Sequence, residues 1–160
     1  MKILDVKKYN LDKSYSAMIE LQEYNDEIAL YGNFYNYLFN LFAYRESIGK
    51  KDKTSTGLKS NDIYGALKYL YNSYKHQDTD LLQLNTFVYK KSYPYKYPYT
   101  YGVSYAYFNA ISKELVNKQR KAEDKINIQN LYNQYLDGKT LLNVVSETYK
   151  RMFNEEKNNG

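Results

Sequence analysis

A tyrosine- and proline-rich segment at residues 88–101, here called the Tyr/Pro arm, constrains the fold of this chain more than any other stretch. Tyrosine occupies every odd position from 93 to 101, and the two prolines of the protein, Pro94 and Pro98, lie between them. A period of two is typical of an extended chain, and each proline fixes its own φ, lacks an N–H donor and disfavours helix at the preceding residue. The arm is therefore not helical. In an extended form its phenol rings line one side, and Lys96 and the prolines line the other.

Outside the arm, apolar residues recur at helical spacing in every long segment. This pattern predicts an all-α fold, a helical bundle of about four to five helices, with the arm as an extended element. Period-two spacing also suits a β-ribbon, so a short two-stranded element over residues 85–101 is compatible with the prediction. A length of 160 residues fits a single domain, residues 1–160, ending in a polar tail at 154–160.

The first long helix is predicted over residues 14–46, after an irregular or strand-like lead-in at 1–12. Its apolar positions step by three and four, which keeps one seam facing a partner helix. The seam contains Leu21, Tyr24, Ile28, Tyr31, Tyr35, Leu38 and Phe42. A second stripe beside it contains Leu30, Phe34, Tyr37, Leu41 and Tyr44. The C-terminal half of this helix is thus apolar around most of its circumference and is expected to be central.

Loop composition, capping residues and apolar spacing predict the elements after residue 48. Residues 49–57 are predicted to be a polar loop, and a helix capped by Ser60 or Asn61 is expected to be closed by residues 76–80. After Gly102 the apolar spacing again indicates helix. Gly138 is expected to end one helix in a left-handed conformation, and Thr140 to cap the next. The last helix then has a seam of Leu141, Val145, Thr148 and Met152, widened by Leu142, Tyr149 and Phe153.

The positive charge of the chain is concentrated in its second half. Residues 1–80 hold 11 Lys and Arg against 11 Asp and Glu, whereas residues 81–160 hold 12 against 7, which accounts for the net charge of +5. The predicted basic patch consists of Lys90, Lys91, Lys113, Lys118, Arg120, Lys121 and Lys125. Such a patch suits phosphates, an anionic surface or an acidic partner. The alternative interpretation is an ordinary solvated, lysine-rich surface.

The predicted partner-binding residues lie in the arm: Tyr93, Tyr95, Lys96, Tyr97, Tyr99 and Tyr101. Tyrosine gives a large contact area at low entropic cost, and its ring also stacks on unpaired bases. The alternative is that the arm is a strap packed across the helices, which accounts for the same tyrosines by burial.

No grouping of residues predicts catalysis. The chain has no cysteine and one histidine, so thiolate chemistry and a cysteine nucleophile are excluded. Gly138-Lys139-Thr140 resembles the end of a phosphate loop, but position 133, where the first glycine belongs, is Asn133. Glu20, Glu23, Asp26 and Glu27 read as a solvated acidic face rather than a carboxylate site. We expect a non-enzyme that uses no cofactor and no metal.

The segment 131–152, a helix, a glycine turn and a helix, faintly resembles a helix-turn-helix. However, Gln134 stands where a small residue is expected four positions before the turn glycine. An ordinary αα-hairpin is the favoured interpretation. No apolar run is long enough for a membrane span and the N-terminus lacks the apolar core of a signal, so a cytoplasmic location is expected.

Three functions remain at this point. The favoured one is a protein-binding inhibitor or modulator of a host nucleic-acid-processing complex, of the kind that small phage and mobile-element proteins often are, with an anti-CRISPR-like role included. The partner is then a host protein or nucleoprotein complex. The first alternative is direct binding of single-stranded nucleic acid, which is less favoured because the arm is held by proline and the chain has few arginines. The second alternative is an assembly component, a homodimer in which helix 14–46 pairs between chains.

Overall fold

The computed structural model describes residues 2–21, 26–52, 62–76, 84–90, 102–108 and 122–158. These ranges contain five helices: α1 (Ile3–Glu20), α2 (Glu27–Asp52), α3 (Ile63–His76), α4 (Ala122–Tyr135) and α5 (Leu141–Asn158). They also contain two strands, β1 (Leu84–Lys90) and β2 (Gly102–Phe108), which pair with each other. The protein is an all-α helical bundle with a short added β-ribbon, which confirms the predicted fold class.

Short polar side chains start the helices where they can accept hydrogen bonds from unpaired backbone N–H groups. Asp26 Oδ1 accepts from the Ala29 N–H at 3.0 Å at the start of α2. Asp62 Oδ1 accepts from the Tyr64 N–H at 3.0 Å and caps α3, rather than Ser60 or Asn61, which lie outside the described residues. Thr140 Oγ1 accepts from the Asn143 N–H at 3.3 Å and caps α5, as predicted.

The predicted helix 14–46 is wrong in its extent. Helix α1 already begins at Ile3, within the predicted lead-in, and ends at Glu20, and the chain starts a new helix at Glu27. The first turn of α1 is supported by Asp5 Oδ2, which accepts from the Lys2 N–H at 3.3 Å. The seven-residue apolar spacing continues through Leu21, Tyr24 and Ile28, so the spacing did not reveal the break between the two helices.

The second stripe of α2 is the centre of the core. Its five members, Leu30, Phe34, Tyr37, Leu41 and Tyr44, are all fully buried. Of the predicted seam, Tyr35, Leu38 and Phe42 are also buried within the bundle, whereas the Ile28 side chain is 88% exposed. The prediction that this helix is central is confirmed. Much of its seam therefore contacts the same chain, leaving less of it for a partner than the homodimer hypothesis assumed.

Three helices, α1, α3 and α5, pack against α2, and α4 packs against α3. Helix α1 packs against α2 and α5, and α3 packs between α2 and α4. The seam of α5, Leu141, Val145, Thr148 and Met152, is fully buried, as predicted from its spacing. Helix α2 reaches Asp52, into the predicted loop at 49–57, and α5 continues to Asn158, through most of the segment predicted as a polar tail.

The two strands form an antiparallel ribbon. Leu84 pairs with Phe108, and the register runs through Phe87 and Tyr105 to Lys90 and Gly102. A β-ribbon was compatible with the sequence, but its second strand was placed within the arm and residues after Gly102 were predicted to be helical. That prediction is wrong over residues 102–108. The i, i+4 spacing of Val103 and Tyr107 resembles a helix, yet their backbone pairs with β1.

Candidate interaction surfaces

The base of the ribbon is fixed in the core through Phe108. Its ring is fully buried and meets the ring of Phe34 at 5.9 Å and that of Tyr132 at 6.4 Å, both edge to face. The Phe108 N–H donates to the Lys139 carbonyl at 3.0 Å, and its carbonyl accepts from the Gly138 N–H at 2.9 Å. The turn between α4 and α5 therefore holds the end of β2 by backbone hydrogen bonds on both sides.

Toward the opposite end of the ribbon, β1 includes residues 88–90, the first three residues of the Tyr/Pro arm. The pairing of Lys90 with Gly102 places the residues that flank 91–101 side by side. Gly102 is six residues from Phe108, and a strand rises by about 3.3 Å per residue, so this pair lies about 20 Å along the strand from the core anchor. The ribbon thus separates Lys90 and Gly102 from the buried base of β2.

The residues predicted for partner binding, Tyr93, Tyr95, Lys96, Tyr97, Tyr99 and Tyr101, all lie outside the described residues. So do most members of the predicted basic patch, namely Lys91, Lys113, Lys118, Arg120 and Lys121. Lys90 ends β1 and Lys125 lies in the first turns of α4, and only their backbone positions are described. The grouping of these cations into one surface stays a prediction.

The outward face of α2 is a second candidate surface, which the sequence analysis missed. Ile28, Gly32, Asn36, Phe39 and Ala43 follow one another at steps of four, four, three and four, and so share one face of the helix. Ile28 is 88% exposed and Phe39 is 57% exposed, and Gly32 and Asn36 are also exposed. We call these five residues the α2 stripe. One signal was available in the sequence: no charged residue occurs between Glu27 and Arg45.

A third group of side chains joins α1 to α5. The rings of Tyr15 and Tyr149 are stacked with centroids 3.8 Å apart, and Tyr149 donates its hydroxyl to Asp12 Oδ1 at 2.8 Å. Burial, together with this hydrogen bond and the nearby Asp12 charge, raises the pKa of Tyr149 above its ordinary value. Lys8 Nζ lies 4.9 Å from the centre of the Phe153 ring on the same side of the bundle. Tyr149 therefore remains a neutral donor and ties two helices together.

Buried hydroxyls between α2, α3 and α5 satisfy one another. The Tyr37 hydroxyl is 2.8 Å from Thr148 Oγ1 and donates to the Val145 carbonyl at 3.1 Å. The Tyr64 hydroxyl donates to the Thr148 carbonyl at 2.9 Å. Burial raises the pKa of Tyr37, so its phenol stays protonated in the fold. These tyrosines are enclosed in the core, and their hydroxyls stabilise the fold by hydrogen bonding.

Two cations lie over aromatic rings between α2 and α3. The guanidinium of Arg45 is 3.7 Å from the centre of the Tyr64 ring, and its buried Nη1 has no hydrogen-bond partner among the described residues. Lys68 Nζ is 4.6 Å from the centre of the Phe42 ring and 3.3 Å from Glu46 Oε1. Both contacts fit the packing of long cationic side chains along apolar surface.

Within the described ranges, no three His, Cys, Asp or Glu side chains cluster in a way that suits a metal ion. None of the helices in the same ranges combines the length and apolar character that crossing a bilayer requires.

No protein-family model, curated protein or solved structure is significantly similar to this chain. Its function is therefore argued from its own residues.

Proposed function

We propose that this protein is a non-enzymatic interaction protein that binds a host protein or nucleoprotein complex engaged in nucleic-acid processing, and inhibits or modulates it. The observation that carries the proposal is the ribbon, which is anchored at Phe108 and holds Lys90 beside Gly102 at its other end. This arrangement brings the two residues that flank 91–101 side by side, about 20 Å along the strand from Phe108.

The composition of the arm suits a protein surface. Five tyrosines within residues 93–101 offer a large amphipathic contact area, and Tyr is enriched in the residues that carry most of the energy of protein interfaces. Pro94 and Pro98 restrict the unbound chain, so less conformational entropy is lost when the arm binds. An antiparallel ribbon below the arm reduces that loss further.

The charge of the arm narrows the kind of partner. Lys90, Lys91 and Lys96 are interleaved with the tyrosines, and no acidic residue occurs between Asp80 and Glu114. An acidic protein face, or nucleic acid held within a nucleoprotein complex, presents negative charge and is complementary to this segment. The proposal therefore takes an anti-defence form, anti-CRISPR-like inhibition by a small phage or mobile-element protein.

Replacing Tyr95, Tyr97 and Tyr99 together with Ala tests the proposal. We expect capture of the partner complex from host lysate to be lost, while the melting temperature changes by less than about 2 °C, because exposed rings contribute little to stability. The control is Tyr9→Ala on α1, whose side chain is 60% exposed, and which should leave capture intact. A large drop in melting temperature for the triple variant would favour the strap interpretation instead.

Direct binding of single-stranded nucleic acid is the second candidate, because lysines alternate with aromatic residues within the arm. Here, changing Lys90, Lys91, Lys118 and Lys121 to Gln should flatten the salt dependence of oligonucleotide affinity, since each lost phosphate contact releases fewer counterions. If bare oligonucleotides do not bind at low salt while nuclease-treated lysate still yields a complex, direct nucleic-acid binding is excluded.

A further inference from the structure

The α2 stripe differs from the other outward faces in the described part of the molecule. Helix α1 also exposes apolar side chains, such as Ile3 and Ile19, but among charged residues that include Lys13, and α5 exposes Lys150 and Arg151. The α2 stripe exposes an isoleucine, a glycine, an asparagine and a phenylalanine, with no charge over residues 28–44. Outward faces of solvated helices are ordinarily charged or polar, so an uncharged face that exposes an isoleucine and a phenylalanine is a candidate interaction site.

The order of side-chain sizes along the stripe is complementary to itself when reversed. In an antiparallel arrangement with its centre beside Asn36, Ile28 of one helix lies opposite Ala43 of the other. In the same register Phe39 lies opposite Gly32. Each large side chain thus meets a small one, and the two Asn36 side chains come together near the axis. A Cβ added to Gly32 meets no atom within 4 Å, so there is open space at this position for an incoming ring.

We propose that the α2 stripe binds the α2 stripe of a second copy of this chain, antiparallel, about a two-fold axis beside Asn36. Such an interface is isologous, because the same residues serve both partners. In the antiparallel direction the positive N-terminal end of each helix lies beside the negative C-terminal end of the other, which is electrostatically favourable.

Charge argues for a second copy over other occupants. The chain carries a net charge of +5, all of it in residues 81–160, so two copies repel each other where those residues meet. The α2 stripe is a face on which they can meet without opposing like charges. Nucleic acid or an acidic protein would instead require cations, which the stripe lacks.

The size of the stripe sets the strength of the association. From Ile28 to Ala43 the helix advances about 22 Å at 1.5 Å per residue. A contact of that length buries well under the ~800 Å² per partner of a standard stable interface. The dimer is therefore weak and depends on concentration, with monomer present at low concentration.

Sedimentation equilibrium on the purified protein, from about 1 µM to about 1 mM, tests the proposal by mass action. The wild-type mass should rise from 19.1 kDa toward twice that value. Phe39→Glu should remain monomeric across the range, because it places a carboxylate in the contact. The matched control is Ile19→Glu on α1, at a side chain that is 44% exposed, and it should associate like the wild type.

Gly32→Leu separates association from stability. A leucine fills the space proposed for Phe39 of the second copy and should keep the protein monomeric. The same change raises helix propensity by about 1 kcal/mol relative to glycine, so the melting temperature should not fall. A wild-type mass that stays at 19.1 kDa at every concentration, or a Phe39→Glu variant that still dimerises, overturns the proposal.

A single cysteine tests the position of the axis, because the natural chain contains none. Asn36→Cys should form a disulfide-linked dimer rapidly under mild oxidation, since a two-fold axis brings the two Cα atoms within the ~4.4–6.8 Å that a disulfide requires. The control Lys13→Cys, exposed on α1, should cross-link slowly. Equal rates for both variants contradict the proposed axis. These experiments use purified protein alone, so their outcome is independent of the partner proposed for the arm.

Discussion

At the scale of single residues, tyrosine replaces much of the aliphatic core that a bundle of this size ordinarily has. Tyr37, Tyr44 and Tyr64 are fully buried. A buried phenol costs free energy unless its hydroxyl is hydrogen-bonded, and backbone carbonyls of α5 accept from two of these three rings, at Val145 and Thr148. The tyrosines thus join α2 and α3 to α5 by directional contacts as well as by apolar area.

Tyr37→Phe measures one such contact. The variant removes a hydroxyl bonded to the Val145 carbonyl and to Thr148 Oγ1, while Thr148 keeps its bond to the Val144 carbonyl at 2.8 Å. We expect a loss of about 1 to 2 kcal/mol in the free energy of unfolding by urea. Tyr9→Phe, at an exposed ring, should change it by less than about 0.5 kcal/mol. Equal effects for the two variants would show that the buried hydroxyl is not specifically stabilising.

At the scale of elements, the ends of helices and the base of the ribbon are set by individual residues. Gly138 has φ of +71° in the turn between α4 and α5, a conformation that residues with a side chain adopt at a cost. The same turn also holds Phe108 by backbone hydrogen bonds. One turn therefore ends a helix and fixes a strand.

Alanine substitutions at Gly138 and Gly32 should change the stability of the fold in opposite directions. A Cβ meets no atom within 4 Å at either Gly138 or Gly32, so packing does not distinguish them. Gly138→Ala should destabilise the fold by about 1 kcal/mol because of its positive φ. Gly32→Ala should stabilise it by about 0.5 to 1 kcal/mol because α2 continues through this position. Thermal unfolding at micromolar concentration reports both, and a shift of the same sign for the two would contradict this account.

Phe108→Ala tests the anchor of the ribbon. Removing a fully buried ring that contacts Phe34 and Tyr132 should cost about 3 to 5 kcal/mol. Phe39→Ala is the matched control, because the same atoms are removed from a side chain that is 57% exposed, and it should cost less than about 1 kcal/mol. Denaturant unfolding at low protein concentration makes the comparison without a contribution from association. Similar losses for both variants would argue against Phe108 as an anchor.

At the scale of the whole molecule, the buried phenols couple stability to alkaline pH. Burial raises the pKa values of Tyr37 and Tyr132 above the ordinary 10.0, with the Asp137 charge adding to the effect at Tyr132. The folded state therefore holds these protons more tightly than the unfolded state does. Their contribution is fully present below pH 10 and falls as the pH rises above it.

We expect the free energy of unfolding to fall above pH 10 by up to about 1.4 kcal/mol per pH unit for each of these two tyrosines. Chemical unfolding between pH 8 and pH 12, with phenolate absorbance as a second signal, measures the slope. The variant Tyr37→Phe should show a shallower decline than the wild type. An identical slope would mean that Tyr37 ionises in the folded protein as readily as in the unfolded chain.

Local sequence was sufficient for much of this fold. Gly138 and Thr140 act as a stop and a cap, and the seam of α5 is buried as its spacing predicted. These features depend on neighbours within a few residues, such as a backbone conformation or an unpaired N–H group. The prediction that the arm is extended also rests on local sequence, on Pro94 and Pro98, but both prolines lie outside the described residues. The sequence alone also contained the uncharged run at 28–44.

Tertiary packing decided the rest. Residues 102–108 have helical spacing but form a strand, because β1 supplies a distant partner for their backbone. Residues 14–46 have one continuous apolar rhythm but form two helices, because α1 folds back to pack on α2. Apolar residues surround most of α2, so its spacing does not indicate which side faces water. In the folded chain Leu30 and Phe34 are buried whereas Ile28 and Phe39 are exposed, and the spacing alone did not indicate this difference.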